Sequence, residues 1–97
     1  MYAAALRIEL RIRDAQSLKE KRHVVKSVSS HVARTFSVAV AEVDHQELWN
    51  RATLGIAAVA PQPSQLDRIL HTVERHIRDR RDVELLAVEV NHLENDK

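Results

Sequence analysis

Cysteine is absent from the sequence, which excludes disulfides, thiolate metal sites and cysteine nucleophiles. Glycine occurs once, at Gly55, and proline twice, at Pro61 and Pro63. A glycine-rich phosphate cradle of the P-loop kind is therefore excluded as well. Aromatic residues are limited to Tyr2, Phe36 and Trp49, so the core must be built from Val, Leu, Ile and Ala. No apolar run approaches the roughly 20 residues that span a bilayer. The apolar start Met1–Leu6 is interrupted by Arg7 and Glu9, too early for a secretory signal core. The expectation is a cytoplasmic protein with no membrane association.

What is present is ordinary globular material: 97 residues, 44% of them hydrophobic, with a net charge of +1. That length reads as one domain over 1–97, with residues 94–97 a polar tail. The charge is segregated along the chain. Residues 1–35 carry a net +5, 36–63 a net −2, 64–81 a net +2 and 82–97 a net −4. Such segregation either builds a basic face or neutralises itself across the fold.

Leu6, Ile8, Leu10 and Ile12 alternate with Arg7, Glu9, Arg11 and Arg13, the period of a half-buried strand. Ser17 with Glu20 three residues on forms a capping box. Leu18, Val25, Val28 and Val32 then recur at helical spacing to a predicted end near Thr35. Phe36, Val38 and Val40 read as the inward side of a second strand, Asp44–Asn50 as a hairpin, and 52–60 as a third strand stopped by Pro61 and Pro63. Ser64 reads as the cap of a second helix with the stripe Leu66, Ile69, Leu70, Val73 and Ile77, and Val83–Leu93 as a last strand. The order βαββαβ predicts an α+β ferredoxin-like sandwich, with both helices on one face of an antiparallel sheet of strand order 4-1-3-2. The open face would carry Arg7, Glu9, Arg11, Ala39, Ala41, Thr53, Ala57, Leu85, Ala87 and Glu89. Gly55, mid-strand, marks a bulge or a close approach.

In this topology the start of the first helix, the hairpin and the end of the second helix share one end of the fold. Seven basic residues converge there, Lys19, Lys21, Arg22, Arg51, Arg78, Arg80 and Arg81, against an acidic hairpin. Lys21 falls inside the apolar stripe, three residues after Leu18 and four before Val25, and must snorkel out or find a partner. Glu42 continues the inward series Phe36, Val38, Val40, so a Lys21–Glu42 ion pair at the core edge is predicted.

Two blocks, Ser17-Leu18-Lys19-Glu20-Lys21-Arg22 and Phe36 to Trp49 with the following Arg51-Ala52, resemble the YlxP-like family of small bacterial proteins. The resemblance spans nearly the whole chain. It implies a ferredoxin-like fold and, because genes of the family often neighbour translation factors, a link to RNA or the ribosome. It supplies no catalytic residues.

The expected activity is binding without catalysis. No GxSxG motif or paired-carboxylate signature occurs, and Asp14-Ala15-Gln16-Ser17 lacks a glycine-rich anion loop. The six histidines are scattered, and His71 and His76, five apart, do not align on one helix face. Neither a metal nor a cofactor is expected. Candidate anion or RNA contacts are Ser17, Lys19, Arg22, Lys26 and Arg51. The helix start offers free N–H groups beside these cations, although Ser17 and Glu20 can satisfy two of those donors themselves. Asp44, His45 and Trp49 form a candidate partner-contact hairpin, in which Trp49 either folds back over the core or anchors a partner. The alternative class is a homodimeric protein–protein or small-anion-binding regulatory module, since the alanine-rich open face permits close approach of a second copy.

Overall fold

The computed structural model describes residues 1–93; the polar tail expected at 94–97 lies outside the described residues. The chain runs β1 (Tyr2–Ile12), α1 (Leu18–Phe36), β2 (Ala39–Asp44), β3 (Arg51–Ala60), α2 (Pro63–Arg78) and β4 (Val83–Leu93). All strand pairs are antiparallel, in the order β2-β3-β1-β4. This is the ferredoxin-like sandwich, the predicted order read from its other edge.

Alternation along β1 buries Ala4, Leu6, Ile8, Leu10 and Ile12, and along β3 Ala52, Leu54, Ile56, Ala58 and Ala60. Val25, Val28 and Val32 of α1 and Leu66, Leu70, Val73 and Ile77 of α2 close on this face. Burying each Val, Leu or Ile side chain among these is worth about 1.5–3 kcal/mol, so the aliphatic core compensates for the scarcity of aromatics.

Several boundaries differ from the sequence expectation, each for a local reason. Alternation in β1 begins earlier, with buried Ala4 extending the Leu6 series. Phe36 belongs to α1, not β2. Ser37 takes the left-handed conformation (φ 54°) and ends the helix. Phe36 thus keeps its i, i+4 relation to Val32 and sets its ring edge-on to His76, centroids 5.5 Å apart. Gln62, not Ser64, caps α2, because Pro63 occupies the first helical position, which its fixed φ suits. Leu85 packs on the core side rather than the open face. Leu10 pairs with Leu85 and Glu9 with Ala87, so Leu86 is an extra, bulged residue that shifts the phase of β4.

A second bulge lies in β2, where Glu42 pairs with Leu54 and Asp44 with Thr53. Val43, the residue between, lies over Gly55; its Cγ1 stands 3.0 Å from where a Cβ would be. The single glycine thus leaves room for the bulged valine.

The helices run antiparallel, and His31 of α1 stacks on His76 of α2 with centroids 4.7 Å apart and rings 12° from parallel. Arg80, just past α2, reaches Ser27 Oγ at 3.4 Å. Ser27 lies roughly 15 Å along α1 from its cap, so α2 ends beside the middle of α1. Of the arginines expected to converge on the start of α1, Arg80 stands beside Ser27 rather than at the cap, although its partner Asp82 lines a hollow with Ser17 and Lys19. Arg78 pairs with Glu74 and Arg80 with Asp82 instead, and Arg80 holds the Asp82 carboxyl below its ordinary pKa.

Burial, then the neighbouring His31 and Arg80, lower the pKa of His76, with Asp79 opposing. Its Nε2 is buried without a partner among the described residues. A depressed histidine pKa means that the fold prefers the neutral ring. That contribution is complete above the ordinary value of 6.5 and is lost as pH falls toward and below the folded-state value. The melting temperature is expected to drop on acidification from about pH 7.5 to about pH 5, and His76→Gln to flatten the profile. Superimposable pH profiles for the two proteins would contradict this.

The hairpin end and a candidate nucleic-acid interface

Ser17 caps α1 from an extended conformation, its Oγ accepting from the Glu20 N–H at 3.1 Å. The Glu20 carboxylate accepts in return from the Gln16 N–H at 2.7 Å, one residue outside the cap. One helical turn on, Lys21 is completely buried. Its ammonium pairs with Glu42 Oε2 and donates to the carbonyls of His45 at 2.9 Å and Gln46 at 3.4 Å. A lysine has three donors, and all three are engaged at the end of β2 and in the hairpin.

His45 is held from the other side as well. Its backbone is left-handed (φ 62°), so while its carbonyl faces Lys21 its ring reaches the open face of the sheet. There His45 Nδ1 lies 2.9 Å from Thr53 Oγ1, which donates to Glu9 Oε1 at 2.7 Å. Because Thr53 donates to the carboxylate, it accepts from His45, so Nδ1 carries a proton in this arrangement. Arg7 lies 3.3 Å from both Glu9 and Asp44. The Asp44 carboxyl is held below its ordinary pKa by the His45 N–H it accepts from, then by the His45 and Arg7 charges. Thr53, expected on the open face, is there but fully buried, in the middle of this network. The alternation placed Glu9 and Thr53 on one face; only the left-handed turn at His45 adds the third member.

Trp49 does not fold over the core. It is 48% exposed and borders a surface hollow with Arg11, Arg13, Asp14 and Asn50. Asp44 and His45 belong to the internal network, so the candidate hairpin contacts divide into two structural residues and one exposed indole.

The candidate anion contacts divide too. Lys19, Arg22 and Lys26 are exposed on α1 and form no ion pair among the described residues. Ser17 Oγ is occupied as the cap. Arg51 pairs across from Arg11 on the open face, on the far side of the sheet from α1, with its Nε buried and unpartnered among the described residues. The stacked His31 and His76 escaped the sequence reading because they lie on different helices. No group of three or more His, Cys, Asp or Glu side chains able to hold a metal ion occurs among the described residues. No described helix is long and apolar enough to cross a membrane.

A family model described as "Protein of unknown function (DUF503)" matches residues 3–90. The chain belongs to the DUF503 family. It is 42% identical over 62 residues to the uncharacterized protein YlxP of Bacillus subtilis (strain 168), covering 64% of this chain and 67% of that protein. Among solved structures, the de novo designed protein Foldit4 aligns over 96% of this chain and 98% of its own, with a TM-score of 0.54 at 15% identity. That likeness concerns the fold alone. The DUF503 match includes the Lys21–Glu42 pair and the Glu9–Thr53–His45 chain of hydrogen bonds.

Replacing Lys21 by Met would leave Glu42 unpaired at the core edge and two hairpin carbonyls without their donor. The expected loss in urea unfolding is about 3–5 kcal/mol. The double variant Lys21→Met/Glu42→Leu is expected to recover much of it, because an apolar pair of similar volume often substitutes without net cost. A loss below about 1 kcal/mol for the single variant would show that the pair adds no more than an exposed one.

Proposed function

We propose that this DUF503 protein is a cytoplasmic accessory module that acts by binding rather than by turnover, and that it holds RNA, free or within the ribosome, by the phosphate backbone against helix α1. The observation that carries this reading is the exposed, unpaired set Lys19, Arg22 and Lys26 on one helix. Of the acids nearby, Glu20 is committed to the cap and Glu42 to Lys21, while Asp14 and Asp82 line one hollow with Lys19. Contacts of this kind position a backbone without reading sequence and release counterions. The triple variant Lys19→Gln/Arg22→Gln/Lys26→Gln is expected to reduce RNA retention on filters and to flatten its salt dependence by about one unit of slope per lost cation. Salt-independent retention, or none by the unmodified protein, would remove the proposal.

A second reading, a homodimer, is favoured by one observation. Away from the hairpin, the open face holds a hollow of about 570 Å³ whose lining includes Ala3, Ala5, Ala39, Ala57 and Val59. A floor of small side chains lets a second copy approach closely, and two-fold dimers are the commonest assemblies. Light scattering is expected to give twice the chain mass at high concentration; a monomer mass there would exclude it. The small-anion variant has less support, since Ser17 Oγ and the Glu20 carboxylate already accept from the N–H groups of Glu20 and Gln16 at the helix start.

A further inference from the structure

The two edges of the sheet differ. β2 is six residues long, and Val43 bulges from it, so only Ala39–Glu42 keep an unbroken register with β3. A short, bulged, acidic edge resists further pairing. β4 has eleven residues and pairs with β1 alone. Its bulge lies at Leu86, and beyond it Ala87–Leu93 run in unbroken register against Ala3–Glu9. That is a straight edge of roughly 23 Å. The stretch contains no Lys, Arg or Pro, the residues that commonly blunt an edge. All of it but Val88 is exposed, so neither a helix nor a loop of the described residues covers it.

The side chains along this edge are apolar at both faces. Val90 pairs with the buried Leu6, yet is itself 44% exposed. The helical layer thus covers β1 and leaves the rim of β4 bare. Leu93, beside Ala3 on the open face, is 63% exposed. The outward backbone groups of such a rim are matched by another extended strand.

The edge is complementary to itself. Antiparallel pairing about Val90 sets Val90 on Val90, Glu89 opposite Asn91, Val88 opposite His92 and Ala87 opposite Leu93. No like charges meet. Each Glu89 carboxylate faces an amide able to donate to it, and each Leu93 lies against a small Ala87. A centre one residue earlier would set Glu89 on Glu89, which is destabilising. The hollow above Val90 is mixed in sign, with Asp67 and Glu74 beside His71 and His92, so two such rims do not repel as two of one sign would. Pairing of β4 with β2 of another copy would be open-ended and build fibres, but the bulged β2 offers only Ala39–Glu42 for it.

We propose that the occupant of this edge is a second copy of the chain. The two β4 strands pair antiparallel about Val90 and join the sheets into one of eight strands, with all four helices on the same face. This goes beyond the homodimer reading above, because it uses the edge of the sheet instead of its open face.

The chain lacks cysteine, so a single introduced thiol reports on the axis. In Val90→Cys the two thiols would stand on the two-fold, their Cα atoms about 4.5–5.5 Å apart, within reach of a disulfide. Leu86→Cys is the control. Leu86 is exposed to nearly the same extent, 41% against 44%, but its two copies would lie roughly 25 Å apart along the paired strands. With glutathione disulfide as oxidant, Val90→Cys is expected to give at least about tenfold more linked dimer than Leu86→Cys, because thiols held together react at a high effective concentration. Val90→Lys, which sets two ammonium groups on the axis, is expected to halve the mass that light scattering gives for the parent while keeping its circular dichroism. Equal linking of the two cysteine variants, or a dimeric Val90→Lys, would overturn the edge and, in a dimeric parent, leave the open face as the interface. A monomeric parent at high concentration would remove both dimer readings and leave the edge to an extended segment of another protein.

Discussion

The buried ammonium of Lys21 is the constraint on which the hairpin end of the molecule depends. A lysine in an apolar stripe is tolerable only if its charge and its donors are matched, and here a carboxylate and two carbonyls match them. Those acceptors come from the end of β2 and from the hairpin, so one side chain ties α1 to both. The helix start is thereby fixed against the sheet by polar contacts rather than by apolar ones. Leu18, the one apolar residue of the first turn, is only half-buried.

His45 carries that constraint through the sheet. Its carbonyl belongs to the Lys21 cluster and its ring to the Glu9–Thr53 chain on the opposite face. The left-handed backbone at His45 allows one residue to serve both sides. The hairpin is held from above and below, and two of the three acids at this end are engaged in the process: Asp44 by Arg7 and Glu42 by Lys21. Seen this way, the uneven charge along the chain does not cancel across the fold. Asp44 and Glu42 neutralise a sheet-facing and an inward-facing cation, and the exposed Lys19, Arg22 and Lys26 of α1 have no ion-pair partner among the described residues.

Much of this was legible in the sequence because it follows from period and phase. Alternation in β1 and β3 set the core, and helical spacing placed Lys21 inward on the same side as Glu42. The failures occur where a single residue changes the phase. The bulged Leu86 moved Leu85 to the core side, and left-handed Ser37 kept Phe36 in the helix; neither residue type announces that role. The convergence of basic residues failed because connectivity gives the end at which a helix stops but not how far along its neighbour it reaches. The His31–His76 stack was hidden for the same reason. It joins residues of different helices, whose relative axial shift is set by packing and is not encoded in either repeat.

The open face and the helical layer lie on opposite sides of the sheet, and this separates their consequences. The alanine-floored hollow belongs to the open face, and the exposed cations of α1 belong to the helical layer. Two copies joined through their open faces would turn their helical layers outward in opposite directions. The exposed cations of the two α1 helices could not then meet on one backbone, and each copy would keep its own set of phosphate contacts. Association of copies through the sheet would change the number of nucleic-acid segments brought together without changing the salt dependence of each contact, which depends only on the cations that meet one backbone. The two readings thus draw on independent parts of the surface, joined physically only through the sheet and the clamped hairpin between them.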